Sequence, residues 1–123
     1  MHYLKLNNNT LKNIAKVGYL FDTTTLSENL DQQYLINGLT EIPFHIMEGK
    51  LLGPEVNYTL AEIKQKTLDI LNQAVKKNKK YVGVLFHQRY FSNDFPNYKK
   101  WYTWLINYCK EKKYNFVNYK NLL

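Results

Sequence analysis

The sequence predicts an α/β fold in which strands and helices alternate along the chain. Two long amphipathic helices are predicted, and short apolar strands precede, separate and follow them. This alternation is typical of a parallel sheet or of part of a β/α barrel. The 123 residues suffice for one modest hydrophobic core and are too few for two ordinary domains. Residues 1–123 are therefore predicted to form a single unit.

The first third of the chain contains only short elements. A helix is predicted from Asn9 or Thr10 to Gly18, because glycine readily adopts the left-handed conformation that ends helices. A strand over residues 19–21 follows directly. Residues 26–38 are polar and aperiodic, which indicates an extended loop.

A second strand is predicted over the apolar run of residues 39–47. Pro43 interrupts this run, and because proline lacks an N–H group the strand is expected to lie at an edge or to bulge there. Thr59 and Glu62 then form a capping box, which starts a long helix that ends in the lysine cluster at residues 76–80.

The last third of the chain continues the alternation. Residues 81–86 are continuously apolar, as in a strand that is covered on both faces. A second long helix is predicted from Pro96 to about Lys112, with Trp101 on its buried side and Cys109 as a small packed side chain. A final strand is predicted over residues 114–117.

The net charge of +7 comes from 16 lysines and one arginine. Two lysine clusters, at residues 76–80 and 110–113, fall where the helices are predicted to end, and cations there complement the helix dipole. Solvated helix ends are therefore favoured over a nucleic-acid surface. Specific nucleic-acid recognition is not expected, because Arg89 is the single arginine available for bidentate base contacts.

No stretch has the length and apolarity of a membrane helix, and residues 1–9 lack the pattern of a secretory signal. No membrane contact is expected, and the localisation is not predicted. The single cysteine rules out an internal disulfide framework.

Three polar residues directly follow predicted strands: Asp22, Glu48 and His87. In folds with parallel strands the chemistry takes place at the carboxyl ends of the strands. These residues are therefore candidates for a site before any relative is considered.

Three blocks of sequence resemble the C-terminal half of the polysaccharide deacetylase domain, particularly in bacterial members. Residues 2–5 with 17–24 read HYLK and VGYLFDTT, residues 39–49 read LTEIPFHIMEG, and residues 83–88 read GVLFHQ. Together the blocks extend through most of the chain. The resemblance implies the C-terminal half of a deacetylase-like β/α barrel.

The resemblance also implies a function in carbohydrate metabolism. Members of this family are hydrolases that remove N- or O-acetyl groups from carbohydrate polymers, and they use a divalent metal held by an aspartate and a His-x-x-x-His pair. Here His2, His45 and His87 are too far apart to form that pair. The metal, with zinc expected, would have ligands outside this chain, and the truncated domain would be inactive alone.

The resemblance assigns roles to individual residues. His87 matches the family's catalytic histidine at the end of an apolar strand, where an imidazole can protonate the departing amine; the alternative is a histidine that merely caps the strand. Leu85 would line the pocket for the acetyl methyl group. Asp22 is expected either to contact substrate hydroxyls or to cap its own turn. Tyr90 and Phe91 are candidates for stacking on a sugar ring.

Other positions remain open. His2 is a weaker candidate for the site. Glu48 stands where many family members have aspartate, and its default interpretation is a carboxylate that orders a loop. His45 is interpreted as a surface histidine or a hydrogen-bonded core histidine.

Two further functions are kept as alternatives. The chain could be a non-catalytic module that binds glycan or protein, since half a barrel leaves sheet edges open to a missing N-terminal half or to a second copy. A basic nucleic-acid binder is the third hypothesis, and it predicts affinity that falls steeply with salt.

Overall fold

The computed structural model describes residues 5–123, so the expectations for His2 and for the rest of residues 2–4 lie outside the described residues. Within this range the helices are α1 (Asn8–Lys16), α2 (Glu48–Leu52), α3 (Leu60–Lys76) and α4 (Pro96–Glu111). The strands are β1 (Phe21–Asp22), β2 (Tyr34–Ile36), β3 (Leu39–Glu41), β4 (Ile46–Met47) and β5 (Val84–Leu85). Two short 3-10 helices cover Gln88–Phe91 and Tyr119–Leu122.

The predicted helices are confirmed, with their caps. Asn7 accepts a hydrogen bond from the backbone N–H of Thr10 at the start of α1, and Gly18 follows its end with a φ of 91°. Thr59 and Glu62 form the predicted capping box of α3. α4 starts at Pro96, where the missing proline N–H costs the helix nothing.

Residues 39–47 form the middle of the parallel arrangement. On one side β1 pairs with β3, and Leu26 continues this contact with a bridge to Phe44. On the other side β4 pairs with β5, through Ile46 with Val84 and Met47 with Leu85. The chain therefore changes neighbours between β3 and β4, and the carboxyl ends of β4 and β5 lie side by side.

Pro43 lies inside this central segment, so of the two predicted alternatives, an edge or a bulge, the edge position is wrong. Its side chain is fully buried between β3 and β4, at the point where the strand partner changes. The register between the first two strands also slips by one residue there, from Asp22 with Glu41 to Leu26 with Phe44. The missing proline N–H is tolerated because the strand pairing is interrupted at this point.

The prediction of an unbroken loop over residues 26–38 is also wrong. β2 pairs antiparallel with β3, and Asn37 and Gly38 connect them with φ values of 52° and 79°. An Asn-Gly pair with two positive φ values forms the tight turn that is preferred in two-residue hairpins. The hairpin signal is present in the sequence, because apolar residues flank the Asn37–Gly38 pair on both sides.

Two predictions in the last third of the chain need correction. The strand over residues 81–86 is limited to β5, and its residues from Val82 to Phe86 are half-buried rather than covered on both faces. Residues 114–117 form no strand, and Phe116 and Val117 are exposed. Without a neighbouring strand to accept its hydrogen bonds, an apolar segment does not become a strand on β propensity alone.

The core lies between the sheet and the two long helices. Its buried members are Ile46, Leu51, Ile63, Leu71, Trp101 and Leu105, and Cys109 packs against them as predicted. Trp101 is fully buried, and its indole Nε1 donates a hydrogen bond of 3.0 Å to Thr67 Oγ1 on α3. This contact satisfies the one polar atom of the largest core side chain and fixes α4 against α3.

The described residues form a mixed α/β fold with two small sheets, and between residues 5 and 123 the sheets do not close into a barrel. The partial barrel implied by the family resemblance stays a prediction. None of the helices in this part of the chain has the length and apolarity to cross a membrane.

Candidate functional site

His87 and Glu48 meet at the carboxyl ends of two neighbouring parallel strands. Glu48 directly follows β4, and His87 lies two residues after β5. The imidazole Nδ1 and Glu48 Oε1 form a hydrogen bond that becomes an ion pair when the ring is protonated. The Glu48 side chain is only 1% exposed, whereas the His87 side chain is 47% exposed.

Because Glu48 is buried and His87 is half-exposed, only the imidazole is accessible to a ligand, and the carboxylate acts on the imidazole from behind. A buried carboxylate that accepts from Nδ1 fixes the orientation and the tautomer of the ring and leaves Nε2 toward the open side. Within residues 5–123, Glu48 Oε2 is buried without a hydrogen-bond partner, so the carboxylate's one polar contact in this range is His87. Glu48 is therefore a positioning residue for His87, a role that the sequence alone did not assign.

An aromatic cluster borders the exposed side of His87. The edge of the Tyr90 ring meets the imidazole at a centroid distance of 6.2 Å, and Tyr90 stacks on Tyr98 at 4.4 Å. Phe95 contacts both tyrosines, at 5.0 and 5.8 Å. Arg89 holds the other side of Tyr90, with Nη2 donating to the phenol oxygen at 2.6 Å.

Tyr98 connects this aromatic cluster to α2. Its hydroxyl donates to the backbone oxygen of Leu52 at the end of α2. Burial raises the pKa of Tyr98, and the neighbouring Tyr90 and Glu48 raise it further. Tyr98 was not among the candidate site residues predicted from the sequence, so its place beside Tyr90 is a finding of the structure.

Leu85 and Phe91 complete the surroundings of His87. Val82, Val84 and Phe86 pack toward the helical core, and since strand residues alternate, Leu85 lies on the opposite face of β5. Phe91 is 47% exposed at the end of the 3-10 helix that follows His87, and its ring meets the edge of Tyr102 at 6.2 Å. His87, Leu85, Tyr90 and Phe91 therefore belong to one short segment with an exposed side.

Asp22 does not join this group. It is the register partner of Glu41, which precedes Glu48 by seven residues in the central segment, or roughly 20 Å of extended chain. Asp22 Oδ2 accepts a hydrogen bond of 3.1 Å from the N–H of Thr24, which is the predicted turn-capping alternative. A contact between Asp22 and substrate stays a prediction.

A second polar cluster surrounds Asp22 instead. Glu41 is buried, and its Oε1 accepts from the N–H of Thr25 at 3.0 Å. Burial raises the pKa of Glu41, the bonds from Thr25 oppose this shift, and Asp22 adds to it. Tyr81 lies close to Glu41, and burial together with that charge raises the pKa of Tyr81 to about 12.

His45 was interpreted either as a surface histidine or as a hydrogen-bonded core histidine, and the structure confirms the second interpretation. Its Nδ1 accepts from the N–H of Gly83 at 2.9 Å, and its Nε2 lies 2.8 Å from the backbone oxygen of Asp31. Both contacts are satisfied by a neutral ring with the proton on Nε2. Burial lowers the pKa of His45, which favours this neutral form.

The described residues do not fit a metal site of their own. Between residues 5 and 123 no three His, Cys, Asp or Glu side chains are grouped closely enough to hold a metal ion. His87 and Glu48 make a pair without a third ligand. The metal expected from the family resemblance would need ligands from other residues.

Comparisons with protein-family models, with curated proteins and with solved structures found no match to this chain.

Proposed function

We propose that this chain is the C-terminal part of a metal-dependent carbohydrate deacetylase, in which His87 is the general acid. The observation that supports this proposal is the contact between the half-exposed imidazole of His87 and the buried carboxylate of Glu48. A histidine that only capped its strand would need no buried carboxylate behind it. The pair also lies at the carboxyl ends of parallel strands, where catalytic residues of β/α folds are found.

The proposed step is the cleavage of an acetamide bond by water. Water adds its oxygen to the acetyl carbon and gives up a proton to a carboxylate base that, like the metal ligands, would lie outside the described residues. The C–N bond then breaks as Nε2 of protonated His87 gives its proton to the departing nitrogen. The products are acetate and a free amine. Glu48 keeps Nδ1 occupied, so that Nε2 is the nitrogen presented to the substrate, and it compensates the charge of the protonated ring.

The aromatic side chains near His87 support a carbohydrate as the substrate. Tyr90 and the exposed Phe91 follow His87 on the same 3-10 helix, and aromatic faces pack well against the apolar faces of sugar rings. Leu85 lies on the face of β5 away from the helical core and would contact the acetyl methyl group. In this proposal an apolar wall and an aromatic surface border the proton donor.

In this proposal the water-activating metal, with zinc as the expected ion, is bound by residues outside the described part of the chain. Catalytic zinc sites need three protein ligands in close geometry. The described residues supply the proton donor and part of the pocket. Without the metal-binding residues the chain is expected to release no acetate.

The test uses the complete product of the gene and N-acetylated chito-oligosaccharides, with zinc supplied. His87→Ala is expected to lower the rate of acetate release by about 10²- to 10⁴-fold, the usual contribution of a general acid. Gln88→Ala, an exposed change at the next residue, is the matched control and should retain the activity. Acetate release that is equal in the His87→Ala variant and the wild type would refute the role of His87.

The second candidate is a non-catalytic module that binds glycan. The exposed Phe91 and Phe95 favour it, because their rings offer a binding surface that does not depend on His87. This alternative predicts that chito-oligosaccharides bind without acetate release by the complete gene product. It also predicts that Phe91→Ala weakens binding whereas His87→Ala does not.

A further inference from the structure

A second concave surface lies on the helical side of the molecule, between α3 and α4. This α3–α4 groove has a volume of about 760 Å³. Lys64 comes from α3, and α4 contributes two adjacent lysines and two aromatic residues one turn apart. The residues that line the groove include Lys64, Lys99, Lys100, Trp104, Asn107 and Tyr108. The Glu48–His87 site lies at the strand ends and shares none of them.

The groove is positively charged. Its lining includes three lysines and one carboxylate, that of Glu111 at the far end of α4. Two of the ammonium groups are already held in place: Lys64 Nζ lies 5.3 Å from the centroid of the Trp104 ring, and Lys99 Nζ donates to Asn93 Oδ1 at 2.9 Å. Side chains that are ordered before binding lose less entropy when an anion binds.

The groove also offers aromatic and amide groups. The rings of Trp104 and Tyr108 are neighbours, with centroids 5.7 Å apart and planes inclined by 31°, and both are half-buried. Their apolar faces suit the apolar face of a sugar ring. The exposed amide of Asn107 can donate to and accept from hydroxyl groups.

The length and position of the groove indicate a polymer. Its residues on α4 extend from Pro96 to Glu111, the full 16 residues of the helix, or about 24 Å. One end lies close to the segment of His87, since Lys99 Nζ is 5.3 Å from the ring centroid of Phe91. A chain-like ligand could therefore lie in the groove and continue toward the Glu48–His87 site.

We propose that the α3–α4 groove binds an acidic polysaccharide. Charge complementarity requires an anionic partner, and the paired rings and the amide match sugar rings and hydroxyl groups. The choice of a carbohydrate over other polyanions rests on the proposed function. The cations of the groove are all lysines. The single arginine, the residue type that nucleic-acid recognition favours, is Arg89, and it is bonded to Tyr90 outside the groove.

The test is titration calorimetry of the full chain with polygalacturonate oligomers at low ionic strength, with their methyl-esterified form as the uncharged control. The acidic form is expected to bind about tenfold more tightly than the ester, and its affinity should fall as salt is added. The double variant Lys64→Glu, Lys100→Glu should lose about tenfold in affinity, because both ammonium groups line the groove.

The matched control is the double variant Lys76→Glu, Lys77→Glu. It makes the same change in net charge with exposed residues at the end of α3, and it should keep the affinity within about twofold. Equal losses of affinity in the two double variants would overturn binding in the groove, since the affinity would then depend only on net charge. Equal binding of the esterified oligomers, or tighter groove-dependent binding of a single-stranded oligonucleotide, would overturn the acidic polysaccharide.

His87→Ala separates this proposal from the deacetylase proposal. The variant should bind polygalacturonate like the wild type, because the groove residues do not include His87. If the groove variants bind polygalacturonate normally, binding in the groove is refuted and the acetate-release test is unchanged. If His87→Ala releases acetate like the wild type, the deacetylase proposal is refuted and the binding measured by calorimetry is unchanged.

Discussion

Asp22 and Glu41 are register partners on adjacent parallel strands, and their carboxyl groups lie within hydrogen-bonding reach of each other. Two neighbouring ionised carboxylates repel, which disfavours the charged form of the buried Glu41. Glu41 Oε2 agrees with this, because it is buried and among the described residues has no hydrogen-bond donor. Burial is the largest cause of the raised pKa of Glu41, and the neighbouring Asp22 adds to it.

The first prediction concerns the pH dependence of stability. Because the folded state raises the pKa of Glu41 above its usual 4.5, it binds this proton more tightly than the unfolded state does. The resulting stabilisation is fully present below about pH 4.5 and is lost as the pH rises through the folded-state pKa. Glu41→Gln removes this dependence, and its amide can donate permanently to Asp22.

The free energy of unfolding of Glu41→Gln at pH 7 is expected to be about 1 kcal/mol higher than that of the wild type, the size of one buried hydrogen bond. Urea unfolding from pH 4 to 8 measures it. Glu55→Gln, an exposed position, is the control and should change neither the stability nor its slope with pH. A Glu41→Gln variant that is less stable at pH 7 would contradict the conclusion that burial and Asp22 disfavour the charged form of Glu41.

The second prediction concerns the tautomer of His87. Since Glu48 accepts from Nδ1, the neutral ring should carry its proton on Nδ1. Glu48→Leu removes the acceptor, and the ring should change to the Nε2–H form that an unrestrained imidazole prefers in water. Glu48→Gln keeps a carbonyl oxygen and should retain the Nδ1–H form. Nitrogen-15 NMR of the ring distinguishes the two, and an Nε2–H ring in the wild type would contradict the contact.

The third prediction concerns the close approach of the central segment and the segment before β5. A Cβ atom added to Gly83 would lie 2.9 Å from the Cα of Phe44, too close for backbone that is fixed by strand pairing. Gly83→Ala should therefore lower the free energy of unfolding by about 1–3 kcal/mol. Gly49→Ala is the control, because its added Cβ would meet only Met47 Cε at 3.6 Å, and it should be tolerated. Equal stability of the two variants in urea would be inconsistent with this packing.

The fourth prediction concerns the hydrogen bond between the long helices. Thr67→Val removes the acceptor of the Trp101 indole and leaves a buried N–H unsatisfied, which should cost about 1–3 kcal/mol of stability. In a Trp101→Phe background the same change has no N–H to leave unpaired and should cost clearly less. A double-mutant cycle in urea measures the coupling, and costs that simply add would argue against the hydrogen bond.

The two long helices could be predicted because their signals are local. A capping box at Thr59, a proline at position 96 and an apolar stripe through Trp101 define α3 and α4 without reference to the rest of the chain. The strands were less predictable. Residues 114–117 have a strand-like composition but no strand partner. β2 is apolar in composition but largely exposed, and it forms because the Asn37–Gly38 turn folds it against β3.

The candidate site shows the same division. The position of His87 after an apolar strand identified it as a candidate, and Glu48 was noticed as a second strand-end residue. Their contact depends on β4 and β5 being neighbours, and a single sequence does not show which strands pair. Asp22 looked equivalent to them in sequence, but its neighbour is Glu41 at the opposite end of the central segment.

The sequence by itself determined α1, α3 and α4 with their caps, and it identified Glu48 and His87 as residues that follow strands, because each of these depends on neighbours within a few positions along the chain. The tertiary structure alone decided which strand lies beside which, and therefore that Glu48 contacts His87 while Asp22 contacts Glu41. The physical reason is that strand pairing joins backbone groups far apart in sequence, so the hydrogen bonds that define a strand are specified only when its partner is in place.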